Sequence, residues 1–349
     1  MTAKIFFTKE LLRWNKYDND RVMPWKYEKD PYKIWISEII LQQTRVAQGL
    51  EYYNRFIKRF PTAKSIAIAP EHEVFKLWEG LGYYTRCKNI IASAKYISEE
   101  LKGKFPETYE DILQLKGIGS YTASAIASFA YNLSYAVLDG NVYRVLSRYF
   151  AITTPIDNLQ GKRFYSELAY KLLDKKLSGV YNQSIMDFGA TVCKPMPLCE
   201  ECALQSRCEA YLQGIQLQLP VKEKVILKKS RWLYYLVVKF RNKLYVRKRE
   251  EKDIWQNLYE FILLEEPGQQ TIKKLQASEK FNALFAQNNY VIENISEVYK
   301  QQLTHQTING QFVTINIKSP LELEQYQLIS AEKMAELPFP KFITTYLKD

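Results

Sequence analysis

Histidine is almost missing from this chain: His72 and His305 are the only two in 349 residues. A histidine-rich metal site is thereby excluded. Long apolar runs are missing as well, for no stretch approaches the roughly 18 residues that a membrane-spanning helix needs. Residues 1–9 also lack a secretory hydrophobic region, so the expected setting is the cytoplasm. Internal repeats and low-complexity segments are absent, which leaves globular domains, and the length implies two or three of them. Cysteine is scarce, but four of the five crowd into residues 193–208. In a reducing compartment such a cluster points to a metal centre rather than to disulfides. Acidic side chains are outnumbered, 38 Asp and Glu against 49 Lys and Arg. Both halves of the chain are basic, which fits a polyanionic partner touching both.

What is present is organised around the stretch from Leu115 to Arg144. Leu115-Lys116-Gly117-Ile118-Gly119-Ser120-Tyr121 predicts a helix ending at Lys116, a glycine turn with positive φ, and a second helix starting at Ser120 with its first N–H groups free. Such a turn lays backbone donors against a phosphate, aided by the positive end of the helix dipole. The second helix is rich in small residues (Ala123, Ser124, Ala125, Ala127, Ser128, Ala130), so a neighbour can approach closely. Beyond it Asp139 stands directly before another helix, the ordinary place of an N-cap. Capping does not exclude chemistry, because N–H donors hold a carboxylate ionised.

Residues 5–60 have helical periodicity, interrupted between Asp18 and Pro31. Asp30-Pro31 reads as a helix start, and the helix that follows carries Glu38 inside an almost continuous apolar run, Ile34 to Val46. A glutamate there lies either on a narrow solvent stripe or in the interior. Burial would raise its pKa and keep it protonated near neutrality, as a general acid requires. A protonated Glu38 and an ionised Asp139 would form the pair of carboxylates that breaks glycosidic bonds through an oxocarbenium-like state. Residues 61–114 read as short helices, with Leu81-Gly82-Tyr83-Tyr84 exposing aromatics at a turn or packing them into the core.

The cysteines, Cys193, Cys199, Cys202 and Cys208, are separated by five, two and five residues. Four thiols so close can hold a [4Fe–4S] cluster or a structural zinc. Cys87, remote in sequence, reads as a buried free thiol. After Cys208 a polar segment at 213–229 reads as a linker. Strand patterns then appear at 232–240, 244–247, 258–264 and 311–318, with helices at 271–289 and 331–347, an α+β arrangement.

Taken together, Glu38 in Ser-Glu-Ile-Ile-Leu-Gln-Gln-Thr, Leu81-Gly-Tyr-Tyr, the Gly-Ile-Gly hairpin, Leu138-Asp-Gly-Asn-Val and the four-cysteine loop resemble the adenine DNA glycosylases of the MutY type over essentially the whole chain. The resemblance implies a multidomain protein. An all-α helix-hairpin-helix glycosylase domain of endonuclease III type would occupy residues 1–212, with a linker at 213–229 and an α+β Nudix-like domain for 8-oxoguanine recognition at 230–349. It implies a monofunctional enzyme of base excision repair that flips adenine out of A:8-oxoguanine or A:G mispairs in double-stranded DNA. Such an enzyme works as a monomer in the cytoplasm, associated with the nucleoid.

By the same resemblance Glu38 protonates the adenine, Asp139 stabilises and captures the sugar cation, and Tyr121 and Asn141 support the site. Arg21, Lys116, Gly117, Gly119 and Ser120 are expected at the DNA, and Trp25, Leu41 and Gln183 around the adenine. Gln43 and Tyr83 are expected in the base stack, with Thr44 near the 8-oxoguanine. Thr304 and His305 match the family's 8-oxoguanine-sensing loop, in which Leu303 here replaces an aromatic. The four cysteines become ligands of a [4Fe–4S] cluster, although the first spacing is one residue shorter than the family's usual six. Residues 230–349 lack the glutamate-rich helix of a Nudix hydrolase, so that domain is expected to read rather than hydrolyse. Two other readings are a glycosylase/lyase for oxidised pyrimidines, which would need a lysine where Tyr121 stands, and a non-catalytic mismatch-binding protein, which would not need both carboxylates.

Overall fold

A computed structural model of the chain describes residues 3–224, 228–286 and 288–349. Residues 225–227 of the expected linker, residue 287 of the expected helix 271–289 and residues 1–2 lie outside the described residues. The described residues fall into two compact units, Met1–Ile68 with Ala92–Val225 and Ala69–Ile91 with Ile226–Asp349.

The amino-terminal two thirds of the chain is helical. In order come α1 (Ala3–Tyr17), α2 (Pro31–Leu41), α3 (Val46–Arg59), α4 (Ala63–Ala67), α5 (Glu71–Trp78), α6 (Thr85–Glu99), α7 (Tyr109–Gln114), α8 (Ser120–Tyr131), α9 (Gly140–Tyr149), α10 (Leu159–Leu172), α11 (Ser178–Thr191) and α12 (Glu209–Leu212). Capping sets several of the starts. Asp30 accepts from Tyr32 N ahead of Pro31, Thr108 from Asp111 N, and Asn158 from Gly161 N. In the first unit Phe7, Leu11 and Trp14 of α1 meet Val142, Leu146 and Tyr149 of α9, Tyr165 of α10 and Phe188 of α11. These apolar faces recur at helical spacing, so one core is closed by four helices.

The sequence placed the end of the helix before the hairpin at Lys116; α7 stops at Gln114, with Leu115 as its C-cap. Of the two hairpin glycines only Gly117 has positive φ, 81°, while Gly119 is extended and takes the N-cap place of α8. The helix carrying Glu38 ends at Leu41 rather than Val46, because the chain turns at Gln42 and takes φ 58° at Gln43. Small residues do bring α8 into the interior: Thr122, Ala123, Ser124, Ala125, Ala127 and Ser128 are all buried.

The second unit holds a mixed sheet of β1 (Lys229–Phe240), β2 (Lys243–Lys248), β3 (Tyr259–Glu260), β4 (Ile262–Glu266), β5 (Tyr290–Ile295), β6 (Tyr299–Gln302), β7 (Gln306–Ile317) and β8 (Gln327–Ser330). The main path is β3-β2-β1-β7-β5, with β4 on β1, β6 on β7 and β8 on β2. The central pair β1 and β7 is parallel over eleven residues, Lys229 facing Gln306 through Lys239 facing Asn316. Both strands are buried on both faces near their middles, and so read as apolar runs. The expected helix 271–289 is two helices, α13 (Ile272–Gln276) and α14 (Glu279–Phe285), restarted by the Ser278 cap. Likewise 331–347 divides into α15 (Ala331–Glu336) and α16 (Lys341–Tyr346), as Pro338 and Pro340 demand.

Candidate active site

Glu38 lies on α2 with 6% of its surface exposed, which overturns the solvent-stripe alternative. Nearly every residue from Tyr32 to Ile40 is buried, so this helix has no wet face for a glutamate to occupy. The Tyr121 hydroxyl, at the start of α8, donates to Glu38 Oε2 at 2.8 Å. Burial pushes the Glu38 carboxyl up to about 7; the Tyr121 bond opposes this, and the nearby Asp139 charge adds to it. Burial also drives the Tyr121 phenol far above its ordinary range, so it remains a donor.

Asp139 caps α9. Its Oδ1 accepts from Val142 N at 2.8 Å and its Oδ2 from Asn141 Nδ2 at 2.6 Å. The sequence reading has these donors holding the group ionised, but the net direction of its pKa is upward. Burial outweighs the Val142 and Asn141 bonds and the Arg144 charge, all of which favour the anion. Glu38, Tyr121 and Asp139 thus act on one another within one site, with the better-solvated carboxylate being the one that holds two donors.

Behind Asp139 lies a chain of contacts that sequence reasoning missed. Arg144 Nη2 donates to Asn141 Oδ1 at 2.9 Å and to Gly189 O at 2.7 Å, and Arg144 Nε donates to Cys193 O at 2.8 Å. Asn141 therefore bridges Asp139 to an arginine anchored on the first cysteine of the loop. Gly189 must be glycine here, since a Cβ would come within 2.7 Å of the Asn141 Cβ. Arg144 has a visible signal, one helical turn past Asp139 on α9, but nothing in its spacing reveals its partners.

Cys193, Cys199, Cys202 and Cys208 are half-buried free thiols lining one small cavity together with Arg148, Val192 and Tyr211. Arg148, 3% exposed, donates to Cys193 Sγ at 3.6 Å and to the carbonyls of Lys194, Pro195 and Leu219. Among the described residues no three His, Cys, Asp or Glu side chains form a ready single-ion site. The donor set is all thiol, around a common cavity and beside a buried cation, and this fits a group held by four thiolates. Cys87 is fully buried and free, as expected.

The remaining expected residues divide between the two units. In the first, Trp25 is 8% exposed against Tyr53, and Leu41 is half-buried against Gly49. Gln43 is exposed, and Thr44 follows in the turn after α2. Lys116, Gly117, Gly119 and Ser120 are all exposed, with the turn braced by Ser93 Oγ donating to Lys116 O at 3.1 Å. Arg21 and Gln183 both bind Asp187, a buried carboxylate that sequence reasoning passed over. Its signal was that of Glu38, a lone acid in an apolar helix.

In the second unit Tyr83, with φ 49°, shares a hydrogen bond with Thr304. Both line a cavity of about 470 Å³ with His305, Trp255, Gln301 and Lys341. Trp255 and Gln301 were not anticipated there.

A helix-hairpin-helix fold that aims a buried acid and a capped aspartate at one place defines a class, and the comparisons agree. Residues 36–166 match the HhH-GPD superfamily base excision DNA repair proteins, and residues 233–349 match the NUDIX domain. The chain is 36% identical over 328 residues to the adenine DNA glycosylase of Buchnera aphidicola subsp. Baizongia pistaciae (strain Bp), covering 90% of this chain and 88% of that one. It is 39% identical over 261 residues to that of Buchnera aphidicola subsp. Schizaphis graminum (strain Sg), covering 73% and 74%. Among solved structures, a thermostable thymine-DNA glycosylase superposes with a TM-score of 0.56 at 28% identity, covering 60% of this chain and 97% of that one. The chain belongs to the adenine DNA glycosylase family.

Proposed function

We propose that this protein excises adenine mispaired with 8-oxoguanine or guanine in double-stranded DNA by hydrolysing the N-glycosidic bond. The observation that carries the reading is Glu38, a buried carboxyl lifted to about 7 beside Asp139. At neutral pH a large share of Glu38 holds a proton, as a general acid must. The flipped adenine takes that proton as the bond to the sugar breaks, and leaves neutral. Asp139 supplies the negative charge for the oxocarbenium-like sugar and captures it as an ester; water then attacks the sugar carbon, the Asp139 carboxylate leaves, and the water's proton passes to the Glu38 carboxylate. Asn141 holds Asp139 in place, and Tyr121 holds Glu38.

Trp25, Leu41 and Gln183 form the adenine pocket in this reading. Gln43 and Tyr83 enter the stack, and Thr44 lies near the opposite base. Arg21 and the hairpin of Lys116, Gly117, Gly119 and Ser120 grip phosphate. Thr304 and His305 read 8-oxoguanine from residues 230–349, the domain that follows a 1–212 glycosylase domain and the 213–229 linker. Cys193, Cys199, Cys202 and Cys208 hold a [4Fe–4S] cluster, which when bound fixes the loop whose Cys193 carbonyl receives Arg144. The enzyme acts as a monomer on nucleoid DNA in the cytoplasm. Among the described residues no helix is long and apolar enough to cross a membrane.

Tyrosine at 121 cannot form the imine with which a lysine cleaves the strand. Strand breakage should therefore need added alkali. A single-turnover assay on A:8-oxoguanine, A:G and oxidised-pyrimidine duplexes tests the proposal. Adenine release from the first two supports it; release of a pyrimidine, or borohydride trapping of the wild-type protein at the excision rate, overturns it.

A further inference from the structure

Asp187 is fully buried on α11, and four donors converge on it. Its Oδ1 accepts from Arg21 Nη1 at 2.8 Å and Gln183 Nε2 at 2.9 Å, and its Oδ2 from Asn19 Nδ2 at 3.0 Å and Lys26 Nζ at 3.2 Å. Two positive charges and two amides satisfy both oxygens of one ionised carboxylate. Lys26 Nζ also donates to Arg21 O at 3.0 Å, which closes the Asp18–Asp30 loop on itself. Asp187 thus pins the loop bearing Trp25 to the helix bearing Gln183.

The consequence for Gln183 is chemical as well as steric. An ionised carboxylate accepts and never donates, so only the Nε2 end of the Gln183 amide can face it. The Oε1 end is turned away and has no protein partner among the described residues. Through other residues, α11 borders the catalytic segment on both sides. Val137 N, two residues before Asp139, donates to Asn182 Oδ1 at 3.2 Å, and Gly189 packs on Asn141.

We infer that Asp187 is a positioning residue for base selection: it fixes the Gln183 amide so that an acceptor, Oε1, meets the edge of the flipped purine. An acceptor there pairs with an exocyclic amine, as on C6 of adenine, and repels the carbonyl that hypoxanthine and guanine carry at the same carbon. The inference rests on the proposed contact between Gln183 and the base, and it narrows that contact, since a free amide could read an amine or a carbonyl by flipping.

The test is single-turnover excision of adenine and of hypoxanthine from duplexes that place each opposite 8-oxoguanine, with wild type, Gln183→Ala and Asp187→Asn. Rate constants are compared rather than amplitudes, so an unfolded fraction does not enter. An asparagine side chain accepts and donates, which lets the Gln183 amide turn over. Asp187→Asn should then reduce the adenine-over-hypoxanthine preference by roughly tenfold, with Gln183→Ala reducing it as well. Should Asp187→Asn not fold, Lys26→Met/Asp187→Asn removes a cation with the anion and is read in the same way. If Gln183→Ala alters the preference and the Asp187 variants leave it at the wild-type value, the orientation inference is overturned and the base contact stands. If Gln183→Ala leaves the preference unchanged, the contact itself fails, and the inference with it.

Discussion

Glu38 was ambiguous as a letter in a sequence because an apolar run does not say which of its neighbours are covered. The fold resolves it by burying the whole helix face, and burial then sets the pKa. That shift has a sign that stability can reveal. The carboxyl rises from an ordinary 4.5 to about 7 in the folded protein, so ionising it opposes folding. Stability is fullest below the unfolded pKa, declines as pH rises between the two values, and levels off above about 7. Glu38→Gln removes the ionisation, and at pH 8 it should stabilise the protein by about 3 kcal/mol while changing little near pH 4. Denaturant titrations of the two proteins at both pH values measure this; equal stability at pH 8 would refute the buried ionisable acid. Gly189→Ala should act through Asn141 instead. The added methyl meets Asn141 within 2.7 Å, an overpacking that costs about 1–3 kcal/mol, and single-turnover excision should slow because Asp139 loses its aligned donor.

At the scale of elements, helices with strong punctuation were legible and their ends were less so. The hairpin was readable because glycine and a run of small residues are local signals. Gly117 does take the left-handed backbone, while Gly119 serves as an uncapped helix start. The short strands β5 and β8 escaped notice, since each carries too few apolar residues in a row to stand out, and β5 exposes Val291 and Ile295. Asp139 as a cap was visible in one dimension, but the Asn141, Arg144 and Cys193 relay behind it joins α9, α11 and the cysteine loop, and no single segment encodes that. The cysteine loop carries its own prediction. Protein purified anaerobically should contain about four iron atoms per chain with visible absorption, and Arg148→Met should lose iron faster on exposure to a chelator. Stoichiometric zinc in freshly purified protein would contradict the cluster.

For the whole molecule, residues 69–91, which the sequence reading kept within the 1–212 domain, group with the carboxy-terminal part. Lys76 donates to Leu337 O at 2.9 Å, and Phe339 N donates to Glu79 at 2.9 Å. Tyr83 and Thr304 are brought to one cavity in this way, 221 residues apart in sequence, a pairing that no periodicity could disclose. Deleting residues 230–349 would strip those partners from residues 69–91, so Thr304→Val is the cleaner probe. It should leave A:G excision near wild type and lower the preference for 8-oxoguanine, measured as the ratio of single-turnover rates.

Excision depends on a buried acid handing its proton to a leaving base, and the pH profile of the reaction reads that event directly. Single-turnover adenine release opposite 8-oxoguanine should fall tenfold per pH unit above about 7 in the wild type, and should be lost in Glu38→Gln while mispair binding persists. A rate that stays flat from pH 6 to about 8.5, or a Glu38→Gln protein that excises at the wild-type rate, would contradict it.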